Sequence, residues 1–262
     1  VRKVFEFFVL LATVLNAQVK IVDSNGLNFK PLTASFYEPR MGLMKYFDRN
    51  SLKVAIGNSL DIFQFPLGFN RLTVGADFFA YTLVNNHGFL VLRVEAIDGF
   101  FGRNVSFRSD GFSARFRVLH RSAHLVDEYD ELSVKPFPFK MEFFDLLFAL
   151  EKKTGRFYAG LNYIFRSKPR DLKKIYVQIE FEFYKEIATQ LSFFKSPILF
   201  VFSSDLKFHS SQGLNLTGGV KFGRLYSRGM LFYLVYYDGF DIYGQYFNLK
   251  RKFGGFGLSF DF

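Results

Sequence analysis

Apolar and polar residues alternate one for one along most of the chain beyond residue 50. Phe112, Ala114, Phe116 and Val118 alternate with Ser113, Arg115 and Arg117. Ile175, Val177, Ile179, Phe181 and Phe183 alternate with Tyr176, Gln178, Glu180 and Glu182. Leu214, Leu216, Gly218, Val220 and Phe222 alternate with Asn215, Thr217, Gly219 and Lys221, and Phe157, Ala159, Leu161, Tyr163 and Phe165 interleave with Gly160, Asn162 and Arg166. Successive strand side chains point to opposite faces, so each segment has one apolar and one polar face. Helical three-four spacing fits none of them. The pattern predicts strands near 52–58, 59–66, 71–82, 94–108, 111–122, 139–152, 156–167, 173–185, 197–208, 213–224, 228–238 and 253–262. That makes about twelve, or ten if the poorly defined second and fourth are dropped. Met230 to Tyr237 is apolar on both faces, so alternation does not assign its facing.

A water-soluble sandwich would also alternate, and three further features select a membrane barrel. The strands run about nine to twelve residues, the length of a tilted bilayer crossing. Their connections alternate: tight turns at Ser109-Asp110-Gly111, Lys152-Lys153-Thr154-Gly155 and Gly223 to Arg228 are separated by longer polar stretches at 84–99, 121–138, 166–174 and 238–252. Short turns at one end and long loops at the other mark an outer-membrane barrel. The chain also closes on an alternating strand, Phe256-Gly-Leu258-Ser-Phe260-Asp-Phe262, which resembles the C-terminal signal read by the barrel-assembly machinery, with Phe262 as its terminal aromatic residue. The expectation is an all-β, transmembrane antiparallel β-barrel of 10–12 strands, closed because an open edge in hydrocarbon would leave backbone groups unpaired.

Residues 1–17 predict a cleavable signal peptide: Arg2 and Lys3 precede an apolar run from Phe7 to Leu15, and Ala17 is a small residue at the cleavage point. Residues 18–50 are then expected as a periplasmic leader and 51–262 as the barrel, placing the protein in the outer membrane of a Gram-negative cell. Composition agrees. Aromatic residues reach 20%, with 39 Phe and 14 Tyr, which suits a lipid face and its interfacial girdles. With no Cys the chain has no disulfide scaffold or thiolate metal site. The net charge of +10 is scattered, basic residues do not track the aromatics along one groove, and nucleic acid is not an expected partner. No phosphate loop or dinucleotide fingerprint is present, and no cofactor is expected.

Several inward positions are charged: Arg115 and Arg117, Glu180 and Glu182, and Asp145 with Glu151. In a narrow barrel these would pair across the lumen and fill it, because buried charges need partners. A basic lumen that selects anions is the alternative.

Two segments carry a resemblance. Arg117-Val-Leu-His120-Arg-Ser122-Ala-His124-Leu-Val-Asp127-Glu128-Tyr129 and Tyr237-Asp-Gly239-Phe-Asp-Ile-Tyr-Gly244-Gln245-Tyr-Phe247 resemble an uncharacterised family of Gram-negative outer-membrane proteins. Its members carry a His-x-Ser-Ser-His-Leu-Gly-Asp-Glu segment and a late Gly-Gln-aromatic-Phe element. Ala123 and Val126 stand here where the family shows Ser and Gly. The resemblance implies a location and no activity.

His120 and Ser122 share parity with the outward Phe116 and Val118, so both are expected on the lipid face near the outer boundary. An imidazole beside a hydroxyl is the minimum of a base-activated nucleophile, and the pair is similar to the exterior sites of outer-membrane phospholipases and lipid A deacylases. A third group must orient the imidazole. Glu142 shares parity with the outward Phe144, Leu146, Phe148 and Leu150 and is the candidate, with Asp127 and Glu128 as alternatives. The catalytic expectation is Ser122 as nucleophile, His120 as base and Glu142 as orienting carboxylate. His120, His124, Asp127 and Glu128 are also a possible nitrogen and oxygen ligand set for a metal, or a hydrogen-bonded girdle under a long loop. The basic stretch from Arg166 to Lys174 would meet lipid and lipopolysaccharide at the surface or simply be solvated. Three functions stay open: a structural or loop-mediated interaction barrel, a lipid-acting serine hydrolase, and a narrow anion-preferring channel.

Overall fold

The structure, a computed structural model, describes residues 20–21, 26–88, 91–126, 135–188, 196–209, 213–225 and 228–261. The expected signal peptide, Asp127, Glu128 and Phe262 lie outside these residues. In chain order the strands are β1 (Lys20–Ile21), β2 (Met41–Tyr46), β3 (Ser51–Leu67), β4 (Asn70–Asn86), β5 (Leu92–Ser109), β6 (Phe112–Leu125), β7 (Phe139–Lys152), β8 (Gly155–Lys168), β9 (Ile175–Ala188), β10 (Ile198–His209), β11 (Gly213–Gly223), β12 (Gly229–Phe240) and β13 (Lys250–Asp261). A single 3₁₀ turn, Gly244–Tyr246, lies between β12 and β13. Each strand from β2 onward pairs antiparallel with the next, and β13 pairs with β2, so β2–β13 form a closed twelve-stranded barrel. The short β2 covers only Leu52 to Ala55 of β3, and β1 pairs with Phe63 and Gln64 farther along that edge.

The expected strands 52–58 and 59–66 are one strand. Gly57, at φ 147°, suggests a break, but a Cβ there would lie 2.3 Å from Phe79 Cα. The glycine lets β3 press against β4 as it passes, and the ladder then shifts register between Asp61 and Phe63. The strand restored in exchange is β2, inside the stretch expected as a leader. Residues 26–40 depart from that expectation too, because they run within the barrel. Several long connections are shorter than their polarity suggested: β4 and β5 extend to Asn86 and from Leu92, and β12 and β13 extend to Phe240 and from Lys250. A hairpin that rises beyond the bilayer has water outside and no longer needs an apolar outer face.

The outer wall carries Ile56, Leu60, Phe78, Phe101, Phe116, Phe148, Leu161, Phe181, Leu234 and Phe256, all exposed. An apolar surface of this extent belongs in hydrocarbon rather than water. The inner wall is polar where it meets charge and aromatic where it meets the entering chain. In β12, Leu231, Tyr233, Val235 and Tyr237 point inward and Phe232, Leu234 and Tyr236 outward. Its double apolar character follows from the lumen contents: Phe36 packs edge-on against Tyr237 at 5.4 Å, and Tyr237 against Phe253 at 5.1 Å.

Residues 26–40 fill the lumen. The Asn28 side chain donates to the Arg71 and Ser106 carbonyls at 3.0 and 2.8 Å near the short-turn end. Phe29, Leu32, Ala34 and Glu38 are buried. The Ala34 N–H donates to Glu180 at 3.0 Å, and the Thr33 N–H to Glu182 at 2.6 Å. Charge pairing in the lumen therefore differs from direct pairing across it. Arg115 and Arg117 both meet Glu38, Arg117 also meets Asp145 on the neighbouring strand, and Glu182 meets Arg156 at 2.7 Å. Glu180 bonds the entering chain and Ser203 Oγ, and Glu151 bonds Arg108. The carboxylate that Arg115 and Arg117 share comes from a segment whose place in the lumen no alternation could reveal.

Burial opposes ionisation of Glu38, but Arg115 and Arg117 outweigh it and bring its carboxyl from an ordinary 4.5 to about 2. A depressed carboxylate stabilises the fold fully above its unfolded value and loses that contribution as pH falls through its folded value. Unfolding followed between pH 7 and 2 should therefore show the Glu38 contribution intact down to about pH 4.5. It should be shed toward pH 2, and Glu38→Gln should abolish that part of the dependence. At neutral pH the same substitution takes from buried Arg115 the carboxylate it meets, and from Arg117 one of the two it meets, and should cost about 3–5 kcal/mol in urea unfolding.

Candidate active site

On β6, Ser113, Arg115, Arg117, Leu119, Arg121 and Ala123 face the lumen, so Phe112, Ala114, Phe116, Val118, His120, Ser122 and His124 face outward. Ladder register sets the neighbours of the candidate pair. His120 lies opposite Phe101 of β5 and Glu142 of β7, and Ser122 lies opposite Gly99 of β5 and Lys140 of β7. The His120 ring leans on Phe101 at a centroid distance of 4.7 Å. Its Nδ1 is 3.6 Å from Glu142 Oε1, and Arg166 of β8 approaches the other Glu142 oxygen at 3.7 Å. Side chains of His120 and Glu142 are 25% and 28% exposed, so the pair is half-buried in the wall and reachable from outside.

Ser122 sits one outward step from His120, about 7 Å along the strand from the rise of two residues. With Nδ1 turned to Glu142, Nε2 is the ring nitrogen left for a partner. Beside Ser122 the wall is open, because Gly99 has no side chain and the next residue across the ladder is Ala80. A Cβ at Gly99 would come 3.8 Å from Ser122 Oγ. Phe78 and Phe101, 73% and 53% exposed, form a ridge along one side of this depression. The arrangement combines a hydroxyl, an imidazole, a carboxylate and an apolar trough on one outward face. The register thus brings His120 and Glu142 into contact and leaves Ser122 on the same outward face, one step away. His124 is a further outward step on, exposed, and its possible metal partners Asp127 and Glu128 lie outside the described residues. Among the described residues no group of three or more His, Cys, Asp or Glu side chains is arranged to hold a metal.

Behind this face, inside the barrel, the loop 241–249 folds into the mouth. Gln245 Nε2 donates to the Ala123 carbonyl and to the Phe137 carbonyl, both at 2.8 Å, and Gln245 Oε1 accepts from the Phe137 N–H at 3.4 Å. It thereby ties β6 to the segment entering β7 just past their last ladder pair, Ala123 with Phe139. The Gly244 N–H donates to Asp98, which holds Arg121, and Arg121 donates to the Ile242 carbonyl at 2.6 Å. Gly244 must be glycine: a Cβ would lie 2.6 Å from the Phe139 ring and 2.7 Å from Ala123 Cβ. The two segments that carry the sequence resemblance are therefore in contact through the wall. Asp98, Arg121 and Gln245 escaped the sequence reading, and the Gly-Gln element was the signal that could have found Gln245.

A closed twelve-stranded wall, apolar outside and filled inside, defines an outer-membrane-type β-barrel. Residues 74–262 match the family described as Protein of unknown function (DUF1207), and the chain belongs to that family. No curated protein matches it. Among solved structures the chain is similar to outer membrane phospholipase A from Escherichia coli, with 10% identity, a TM-score of 0.54, and coverage of 85% of this chain and 91% of that one. A second structure of that enzyme, an active-site asparagine-to-alanine variant at pH 6.1, gives 10% identity, a TM-score of 0.55 and 96% coverage of each chain. The β domain of the Bordetella autotransporter Brka gives 11% identity, a TM-score of 0.42, and coverage of 84% and 96%. At these identities the likeness is one of fold.

Gly244→Ala should destabilise the barrel by about 1–3 kcal/mol through overpacking. Gln245→Leu, which strands the buried Ala123 carbonyl and the half-buried Phe137 carbonyl and N–H, should cost about as much. Thermal unfolding followed by the heat-induced shift in electrophoretic mobility measures both.

Proposed function

We propose that this protein is a serine hydrolase acting on acyl esters of lipids at the outer face of a bacterial outer membrane. The observation that carries the reading is the outward His120–Glu142 contact with Ser122 next on the same face. The apolar trough at Gly99 and Ala80 supports it, as does the resemblance of the scaffold to a phospholipase.

Ser122 Oγ attacks the ester carbonyl carbon while its proton passes to His120 Nε2. Glu142 accepts from Nδ1–H, fixes the tautomer and balances the imidazolium. Collapse of the tetrahedral intermediate breaks the bond to the alcohol oxygen, which takes the proton from His120. Water then adds to the acyl-serine by the same base and releases the fatty acid. In the free protein His120 and Ser122 need not touch, since such contacts commonly tighten only when substrate binds.

The channel reading loses its basis, because residues 26–40 occupy the lumen and its arginines are paired. The filled lumen does favour a second reading, a barrel that acts only through the surface of its long-loop end. Fatty-acid release from phospholipid and lipopolysaccharide vesicles by the refolded protein separates the two. Under the hydrolase reading, Ser122→Ala and His120→Ala each lower release by at least about 10³-fold, and Glu142→Gln lowers it about 10²–10⁴-fold. Release unchanged in Ser122→Ala, or none from the wild type, leaves the surface barrel.

A further inference from the structure

Beside the candidate site the outer wall carries an opposed pair of cations. Lys140 of β7 and Lys168 of β8 are directly opposed in the ladder, and both are exposed on the outward face. Like charges directly across a ladder repel, at about 5 Å between Cβ atoms, and the arrangement is unfavourable unless an anion lies between them. The next rung holds Glu142 and Arg166, and the Glu142 carboxylate is already shared between Arg166 and His120. Among the described residues neither lysine has an ion pair. The segment beyond β8 adds Arg170, Lys173 and Lys174 against Asp171.

One rung farther from the loop end the wall becomes aromatic. Phe144 packs on Phe165 at 4.6 Å and on Tyr163 at 6.5 Å, and Tyr163 and Phe165 are exposed. The order along the wall is therefore two opposed lysines, one shared carboxylate with an arginine, then an aromatic floor. This matches the profile of a single amphiphile, with its anion at headgroup level and its acyl chains on the rings below.

We propose that this wall binds a membrane lipid whose headgroup carries a phosphate monoester, with the phosphate between Lys140 and Lys168. A monoester carries about −1.5 to −2 at neutral pH, which answers two converging ammonium groups better than the single charge of a diester. The aromatic floor selects a lipid over free phosphate. The inference does not rest on hydrolysis, because the cations and rings bind whether or not Ser122 reacts.

The test uses the full chain in phosphatidylcholine nanodiscs, with ether-linked phosphatidic acid as the monoester probe and ether-linked phosphatidylglycerol as the diester. Neither has an acyl ester to cleave. Lipid retained by the protein is counted by native mass spectrometry. The wild type should retain the monoester lipid about tenfold more strongly than the diester, a difference of about 1.4 kcal/mol. Lys140→Glu with Lys168→Glu should erase that preference, whereas Lys152→Glu, at the short-turn end, should keep it. Equal retention of the two lipids by the wild type overturns the proposal without any variant. So does a preference that survives the double substitution, or displacement of the lipid by inorganic phosphate alone.

Discussion

Closure of the sheet is the constraint on which everything else depends. A strand edge facing hydrocarbon leaves backbone donors and acceptors with no partner, so a wall of this kind is stable only when its first and last strands meet. Here that task falls to β2, a six-residue strand wedged between β13 and β3. It is short because the chain just before it is occupied elsewhere, inside the lumen. β1 then pairs with part of the β3 edge that β2 does not reach. The seam and the filling of the barrel are thus one arrangement, made by adjoining parts of the chain.

The filling explains the lumen chemistry. A narrow barrel lined by Arg115, Arg117, Arg156, Asp145 and Glu182 has charges that water cannot fully serve once the space is occupied. The entering segment answers with Glu38 for two arginines, with main-chain N–H groups for Glu180 and Glu182, and with carbonyls of Lys30 and Pro31 for Arg156. Its apolar residues meet the aromatic stretch of β12 and β13. Loop 241–249 completes the same logic at the other end. It buries Tyr243, Gly244, Gln245 and Tyr246 in the mouth instead of projecting them into solvent.

That loop also links inside to outside. The β6–β7 ladder ends at Ala123 and Phe139, shortly beyond the rung that carries His120 and Glu142, and Gln245 bridges β6 to the residues entering β7 from within. The outward contact between imidazole and carboxylate thus has a buried support on the opposite face of the same two strands. Polar side chains on a lipid-facing wall are costly to maintain and tend to be retained for binding or chemistry. The concentration here of His120, Ser122, Lys140, Glu142, Arg166 and Lys168 makes one sector of the wall unlike the rest.

Strand identity and facing in β6, β7, β8, β9 and β11 were legible in the sequence, because a half-buried strand with one polar face writes its period of two directly into residue order. From that parity followed the outward placement of His120, Ser122 and Glu142 and the inward placement of Arg115, Arg117, Asp145, Glu180 and Glu182. Parity could not say that Glu142 lies opposite His120, since register between strands depends on loop and turn geometry. It also failed where both faces are apolar, as in β12, and near Gly57, where the expected strands 52–58 and 59–66 are one. The positions of Glu38 and Gln245 were decided by tertiary structure alone. Each satisfies partners distant in the chain, and the need for a buried charge or carbonyl to be paired arises only once the barrel has closed around it.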